Sequence, residues 1–313
     1  MKAAVLDDVG VPPHFGDFAE PEPGEGQVVV DVAAAAVNHL DLAKASGLVL
    51  HRAASDSVRG GVRRGRSDGP RPSRLLRRPV APYGSWAQRT LVPETDLLDV
   101  AAGVDDATAA ALGNTGLAAW LALSWRARLQ PGESVLVLGA TGAVGSVAVQ
   151  AAKSLGASHV IAAARNPDRL QWARQHGADA AVVLAPGTDL PAAFRQAAGD
   201  HGIDVIIDPL WGEPALAAMQ AATPGARHVQ IGASTGATIN LPATVIRSAE
   251  LEILGFVVFR VPLQARRDAY RSLTERAALG EIAVDVIRLP LAKVASAWEQ
   301  EQHGAHARLI LTP

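Results

Sequence analysis

Val135-Leu136-Val137-Leu138-Gly139-Ala140-Thr141-Gly142-Ala143-Val144-Gly145 is the stretch that decides the fold. Four apolar residues in a row predict a buried strand, and Ala140, Gly142 and Gly145 keep the following turn free of bulk. Beyond it Val144, Val147, Ala148, Ala151 and Leu155 recur at helical spacing, and Gly156 stands where a left-handed cap ends a helix. A strand, a glycine turn and a helix in that order aim free backbone N–H groups at an anion, which is how a dinucleotide pyrophosphate is held. An ordinary tight turn shares the glycines but not that context. The candidate contacts here are Ala140, Thr141, Gly142, Ala143 and Val144.

Five further strand candidates follow: His159 to Ala164, Ala180 to Leu184, Ile203 to Asp208, Arg227 to Ile231 and Leu251 to Gly255. Helical stretches separate most of them, and connections of that length join parallel strands, so the expected fold is α/β with a doubly wound parallel sheet. The end of the second strand bears on the cofactor. An NAD site places Asp or Glu about 20 residues past the glycines to bind the ribose hydroxyls. Here the strand ends Ala162-Ala163-Ala164-Arg165-Asn166 without a carboxylate. Arg165, with Arg169 one turn on, suits a ribose 2′-phosphate, so NADPH is the expected cofactor; the competing reading of Arg165 is a solvated surface side chain.

Length and charge set the frame. With 313 residues the chain has room for two domains, and a net charge of −2 gives no reason to expect nucleic acid or an anionic membrane as partner. No run is long enough for a membrane span, and Met1 to Leu6 reads as a strand rather than a signal peptide, so the cytoplasm is the expected location. Cysteine is absent, which excludes disulfides, thiol nucleophiles and thiolate metal sites. The nine histidines form no H-E-x-x-H motif, His303 and His306 read as a solvated pair, and no metal is expected.

Residues 130 to 157 resemble the medium-chain dehydrogenase/reductase superfamily, and the A-x-G-x-x-G form resembles its zinc-independent quinone oxidoreductase branch. The resemblance runs over nearly the whole chain. It implies a Rossmann domain at 116–257 inserted into a discontinuous β-rich, GroES-like catalytic domain at 1–115 and 258–313, with the active site in the cleft between them. Ala36-Val37-Asn38-His39-Leu40-Asp41-Leu42 resembles the active-site segment in which zinc enzymes carry a ligand cysteine; Asn38 occupies that place here. The resemblance makes Asn38 a catalytic and cofactor-contacting residue beside the nicotinamide, with Asp41 as a structural neighbour. A helix-capping role for Asn38 is compatible with that. Tyr83, beside Trp86, becomes a substrate contact, with plain packing as the alternative. Thr115, Leu210, Gly232, Ala233, Ser234, Phe256 and Val257 fall in segments that resemble those lining the cofactor in the family, and on the same pattern Asp208 reads as a structural strand-end residue rather than a catalytic acid. The implied activity is metal-free hydride transfer from NADPH to a quinone or enone-like acceptor. A zinc-type alcohol dehydrogenase homologue, an NADPH-binding protein without turnover and an arginine-driven nucleic-acid binder are the alternatives. A homodimer through the sheet edge near Leu251 to Phe256 is the expected assembly.

Residues 49–79 break the pattern, with nine arginines against Asp56 and Asp68 and no aromatic residue. Buried nine at a time in a small barrel, arginines lack partners, so the segment as it stands is expected to be exposed or disordered and the substrate wall damaged. Back-translated with free third bases and read one base later, its codons give Y-Y-T-G-P-P, P-Y-V-A-G, D-G-V-G-R and G-R-R-V-Y-F-D-A-P, rejoining the frame near Val80. These are the residues that the resemblance calls for, which points to a reading-frame slip. Coding DNA sequenced across codons 45–85 from an independent source is expected to show the restored frame; one continuous frame encoding the arginines would rule the slip out.

Overall fold

The computed structural model describes residues 1–45, 61–63, 74–76, 82–305 and 307–313. The chain forms two units: Met1–Asn114 with Leu263–Gly280 and Val284–Pro313, and Thr115–Pro262 with Glu281–Ala283. In the first unit the chain runs through β1 (Lys2–Val5), β2 (His14–Asp17), β3 (Gln27–Ala36), α1 (His39–Ala45), β4 (Gly61–Arg63), β5 (Arg74–Leu76), β6 (Arg89–Pro93), β7 (Leu97–Asp99) and α2 (Asp106–Ala111). Asp105 caps α2, its carboxylate accepting from the backbone N–H groups of Ala107 and Thr108.

A π-helical turn at Leu112–Gly116 follows, then α3 (Leu117–Leu121) and a second π turn at Ala122–Ala127. Alanine and leucine spacing predicts one helix here. The wider turns do not change which residue types suit the interior, so the spacing gave no sign of them.

The second unit then alternates β8 (Ser134–Leu138), α4 (Gly145–Ser154), β9 (His159–Ala164), α5 (Pro167–Gln175), β10 (Ala180–Val183), α6 (Leu190–Ala198), β11 (Val205–Asp208), α7 (Gly212–Ala221), β12 (Arg227–Gln230), α8 (Ala243–Ser248) and β13 (Glu252–Gly255). All six strands are parallel, in the order β10-β9-β8-β11-β12-β13. This is the doubly wound sheet expected from the sequence. β8 lies between β9 and β11, and Val135, Leu136, Val137 and Leu138 are wholly buried, which is why its apolar run does not alternate. Local signals fix the helix ends. α4 closes in a Schellman motif, with Gly156 at φ +93° and N–H bonds from Gly156 to Lys153 O and from Ala157 to Ala152 O. α5 opens on Asn166, whose Oδ1 accepts from Asp168 N and Arg169 N, with Pro167 in its first turn. Leu136, Leu138, Ile161, Phe194, Ile206 and Met219 lie in the core on one face of the sheet.

The chain returns to the first unit through α9 (Leu263–Ala278), β14 (Val286–Pro290), α10 (Val294–Gln302) and β15 (Arg308–Thr312). A sheet in the order β14-β15-β3-β4-β5-β7 forms, with β6 also on β3, while β1 and β2 pair separately. Val30, Val37, Trp86, Val92, Trp298 and Leu309 pack its core. Of residues 49–79, β4 and β5 are described, as short antiparallel strands between β3 and β7. The rest of that arginine-rich segment, and His306, lie outside the described residues. No helix among the described residues is long and apolar enough to cross a membrane.

Candidate functional site

The candidate site of the second unit is at the carboxyl ends of β8 and β11, neighbours in space but not in sequence, where the strand order reverses and where sheets of this kind bind their ligands. The chain leaves β8 through Gly139 at φ +60°, a conformation that favours glycine, and a Cβ there would stand 3.0 Å from Leu210 Cδ2, so the two turns lie in close contact. Ala140 is wholly buried and its N–H donates to Ala163 O at 3.0 Å, which ties the turn to β9. Gly142 N–H closes the turn on Gly139 O at 2.9 Å. Thr141, Ala143 and Val144 are half-buried and Gly142 is exposed, immediately before the first turn of α4. Among the described residues, no intrachain hydrogen bond is taken by the N–H groups of Ala143 and Val144. A helix start with free donors and no side chain at Gly142 suits a pyrophosphate.

The opposite wall is the turn after β11. Asp208 is wholly buried, and its Oδ1 accepts from Leu210 N and Trp211 N at 2.8 Å each. The loop after β12 is tied to this turn. Ser234 N and Oγ donate to Pro209 O at 3.4 and 3.2 Å, and Thr235 donates to Leu210 O from both N and Oγ1. A Cβ on Gly232 would meet Pro209 O at 2.8 Å, so the two loops approach as only glycine permits. Leu210, Gly232 and Ser234 are thereby brought to one end of the sheet; Ala233 lies between the last two, exposed. Phe256 is buried beyond β13 with its N–H on Gln230 O, and Val257 is half exposed.

Arg165 follows the last residue of β9 and is exposed. Arg169 sits one turn into α5, with its guanidinium 5.3 Å from the Trp172 ring centre, and Trp172 stacks on His176 at 3.9 Å. The nearest carboxylate in the chain order is Asp168, exposed in the first turn of α5. Thr115 is buried within the first π turn.

Asn38 and Tyr83 belong to the first unit. Asn38 precedes α1 and is 3% exposed. Its Oδ1 accepts from Arg308 Nη2 at 2.6 Å, and its Nδ2 donates to Asp41 Oδ2 at 3.1 Å. The same Asp41 oxygen takes the Asn38 backbone N–H at 3.2 Å, the returning arm of a capping box. The Asn38 amide therefore does not cap α1; Arg308 has turned it inward. Arg308 also donates to Val37 O at 3.0 Å and lies 3.9 Å from Glu301, itself buried. Burial pushes the Glu301 carboxyl above its usual range, against the pull of Arg308 and His39. Tyr83 donates its hydroxyl to Glu20 O at 3.1 Å and meets Phe18 edge-on, while Trp86 is a core residue bonded to Ala36 O. Among the described residues no group of three His, Asp or Glu side chains is placed to hold a metal ion.

Gly139, Thr235 and Arg308 shape these sites and were not among the sequence candidates. Gly139 had a readable signal, a glycine directly after a buried strand. Arg308 had none, because its partner is 270 positions away.

A family model described as "Zinc-binding dehydrogenase" matches residues 143–277. Quinone oxidoreductase-like protein 2 of Rattus norvegicus is 30% identical over 56% of this chain and 50% of its own length. Prostaglandin reductase 1 of Bos taurus is 31% identical over 61% of this chain and 57% of its own. The matched stretches thus span about half the length of these relatives. The solved quinone oxidoreductase of Thermus thermophilus, known also in complex with NADPH, superposes with a TM-score of 0.80 at 29% identity over the whole of both chains. With the glycine turn, the sheet order and these likenesses together, the chain is similar to the medium-chain dehydrogenase/reductase superfamily, and within it to proteins of the quinone oxidoreductase type.

Proposed function

We propose that the protein is an NADPH-dependent oxidoreductase that reduces a quinone or an enone-like acceptor without a metal. The observation that carries this is the glycine turn at the strand-order reversal, with free N–H groups at the start of α4 and no carboxylate at the end of β9. The free N–H groups of Ala143 and Val144 hold the pyrophosphate, and Ala140, Thr141 and Gly142 form the turn around it; Arg165 and Arg169 face the 2′-phosphate; Leu210, Gly232, Ala233, Ser234, Phe256, Val257 and Thr115 line the remaining length of the cofactor. Bound NADPH supplies the hydride, so the protein's contribution is positioning and exclusion of water. Tyr83 contacts the acceptor. Asn38 orients the carboxamide or the acceptor, and the Arg308 and Asp41 bonds set the direction of its amide. No side chain in the sequence reads convincingly as a general acid, and solvent or a cofactor hydroxyl supplies the proton. The exposed Ile253 on the edge strand β13 supports a homodimer, and the cytoplasm suits such an enzyme.

Arg165→Asp is expected to weaken NADPH binding by at least about tenfold while leaving NADH within about threefold, since one charge-assisted phosphate contact is lost and a repulsive one gained. Titration of both cofactors checks it; equal weakening of the two removes Arg165 from the phosphate site. A second reading, cofactor binding without turnover, is favoured by the inward engagement of both ends of the Asn38 amide. NADPH oxidation with a panel of quinones and enones separates the two.

A further inference from the structure

Behind the Leu210–Trp211 turn lies a wholly buried pair that the proposed reaction does not use. His228 Nε2 donates to Asp208 Oδ2 at 2.9 Å, and both residues are 0% exposed. In the register of the sheet His228 stands between Ile206 on β11 and Ile253 on β13. Apolar neighbours on both sides make isoleucine the natural occupant of this place. The histidine instead buries its Nδ1 without a hydrogen-bond partner, a position that stability alone does not favour.

What the pair holds accounts for its place. Asp208 is two residues beyond Ile206, on the same face as His228. With Oδ2 taken by His228, the carboxylate is fixed in the direction that lets Oδ1 accept both Leu210 N and Trp211 N. That turn needs restraint, because Trp211 has φ +60°, a conformation that bulky residues avoid. The Trp211 ring meets the His228 ring edge-on, 6.0 Å between centres, so the same imidazole also supports the strained residue. On its other side the turn carries Leu210 against Gly139.

We propose that His228 and Asp208 form a positioning pair that holds the Leu210–Trp211 wall of the dinucleotide crevice against the glycine turn. This rests on the reading of that crevice as a nicotinamide dinucleotide site. His228 touches no cofactor; it acts by aiming the Asp208 carboxylate. Removing its N–H frees the carboxylate to rotate, loosens the turn and enlarges the crevice.

The test uses the full chain with His228→Phe, which keeps a flat ring without a donor, and His228→Gln, which keeps an N–H near the Nε2 position. Two quantities are read: the Kd for NADPH, and amide hydrogen exchange at Leu210 and Trp211 with β8 amides as reference. His228→Phe is expected to raise the Kd about tenfold and to speed exchange at the two turn amides by a similar factor, while β8 is unchanged and His228→Gln stays within about threefold of wild type. Should His228→Phe fail to fold, His228→Ile, which matches its strand neighbours, takes its place with the same expectation. Wild-type exchange at Leu210 and Trp211 in the Phe or Ile variant overturns the pair, as does equal weakening by Gln. Faster turn exchange that Gln reverses, in a protein that binds neither NADPH nor NADH, leaves the pair as a turn clamp but overturns both its role in cofactor binding and the nicotinamide reading.

Discussion

Gly145→Ala is expected to destabilise the protein by about 3 kcal/mol or more, which in a unit of this size lowers its melting temperature by about 6–12 °C. A Cβ at this position would stand 2.1 Å from Gly139 O and 2.7 Å from both Gly139 C and Ala140 Cα. Those are backbone atoms, so no side chain can swing away to make room. Relief requires α4 to move off β8, yet Val147, Ala148, Val149, Ala151 and Ala152 of that helix are almost wholly buried. Gly142→Ala is the informative contrast. Its Cβ would meet Gly139 O at 3.3 Å on an exposed residue, so a change within about 1 kcal/mol is expected. Cofactor binding should nevertheless weaken, because position 142 faces the pyrophosphate in the proposed site. Thermal melts and NADPH titration on the two variants check this, and a Gly145→Ala protein that melts like wild type contradicts the steric argument.

Arg308→Met is the second large expected effect, a loss of about 3–5 kcal/mol from the first unit, because it leaves a buried carboxyl without its cation. Arg308 is 5% exposed and Glu301 4%. Burial already lowers the tendency of Arg308 to hold its proton and raises the Glu301 carboxyl, so each charge depends on the other. His39, 3.7 Å from Glu301, is largely exposed and a weak substitute. Adding Glu301→Gln to Arg308→Met should recover part of the loss, since a neutral amide needs no counter-charge. Arg308→Lys should recover less than its charge suggests, because a single ammonium placed where Nη2 bonds Asn38 Oδ1 and Val37 O has no second nitrogen to face Glu301 as Nη1 does. Denaturant unfolding of the three variants decides it. A double variant no more stable than Arg308→Met shows that Glu301 is not the group left stranded.

The sequence by itself determined the second unit almost entirely. The run Val135 to Leu138, the glycines after it, the spacing of Val147, Ala148 and Ala151, and the caps at Gly156 and Asn166 act within a few residues of one another, and local periods and turns are written locally. The proposed preference for NADPH likewise reads a local feature, the residues that stand at the end of β9. Tertiary structure decided the rest. Asn38 was legible as a residue type, but which way its amide turns is set by Arg308, on the last strand. His228 read as an ordinary strand residue; that it reaches Asp208 follows from the parallel register of β11 and β12. Strand order placed Leu210 against Gly139, two turns that are 71 positions apart. In each case the deciding contact joins residues whose own neighbours carry no trace of the partner, and only a folded chain brings them within reach.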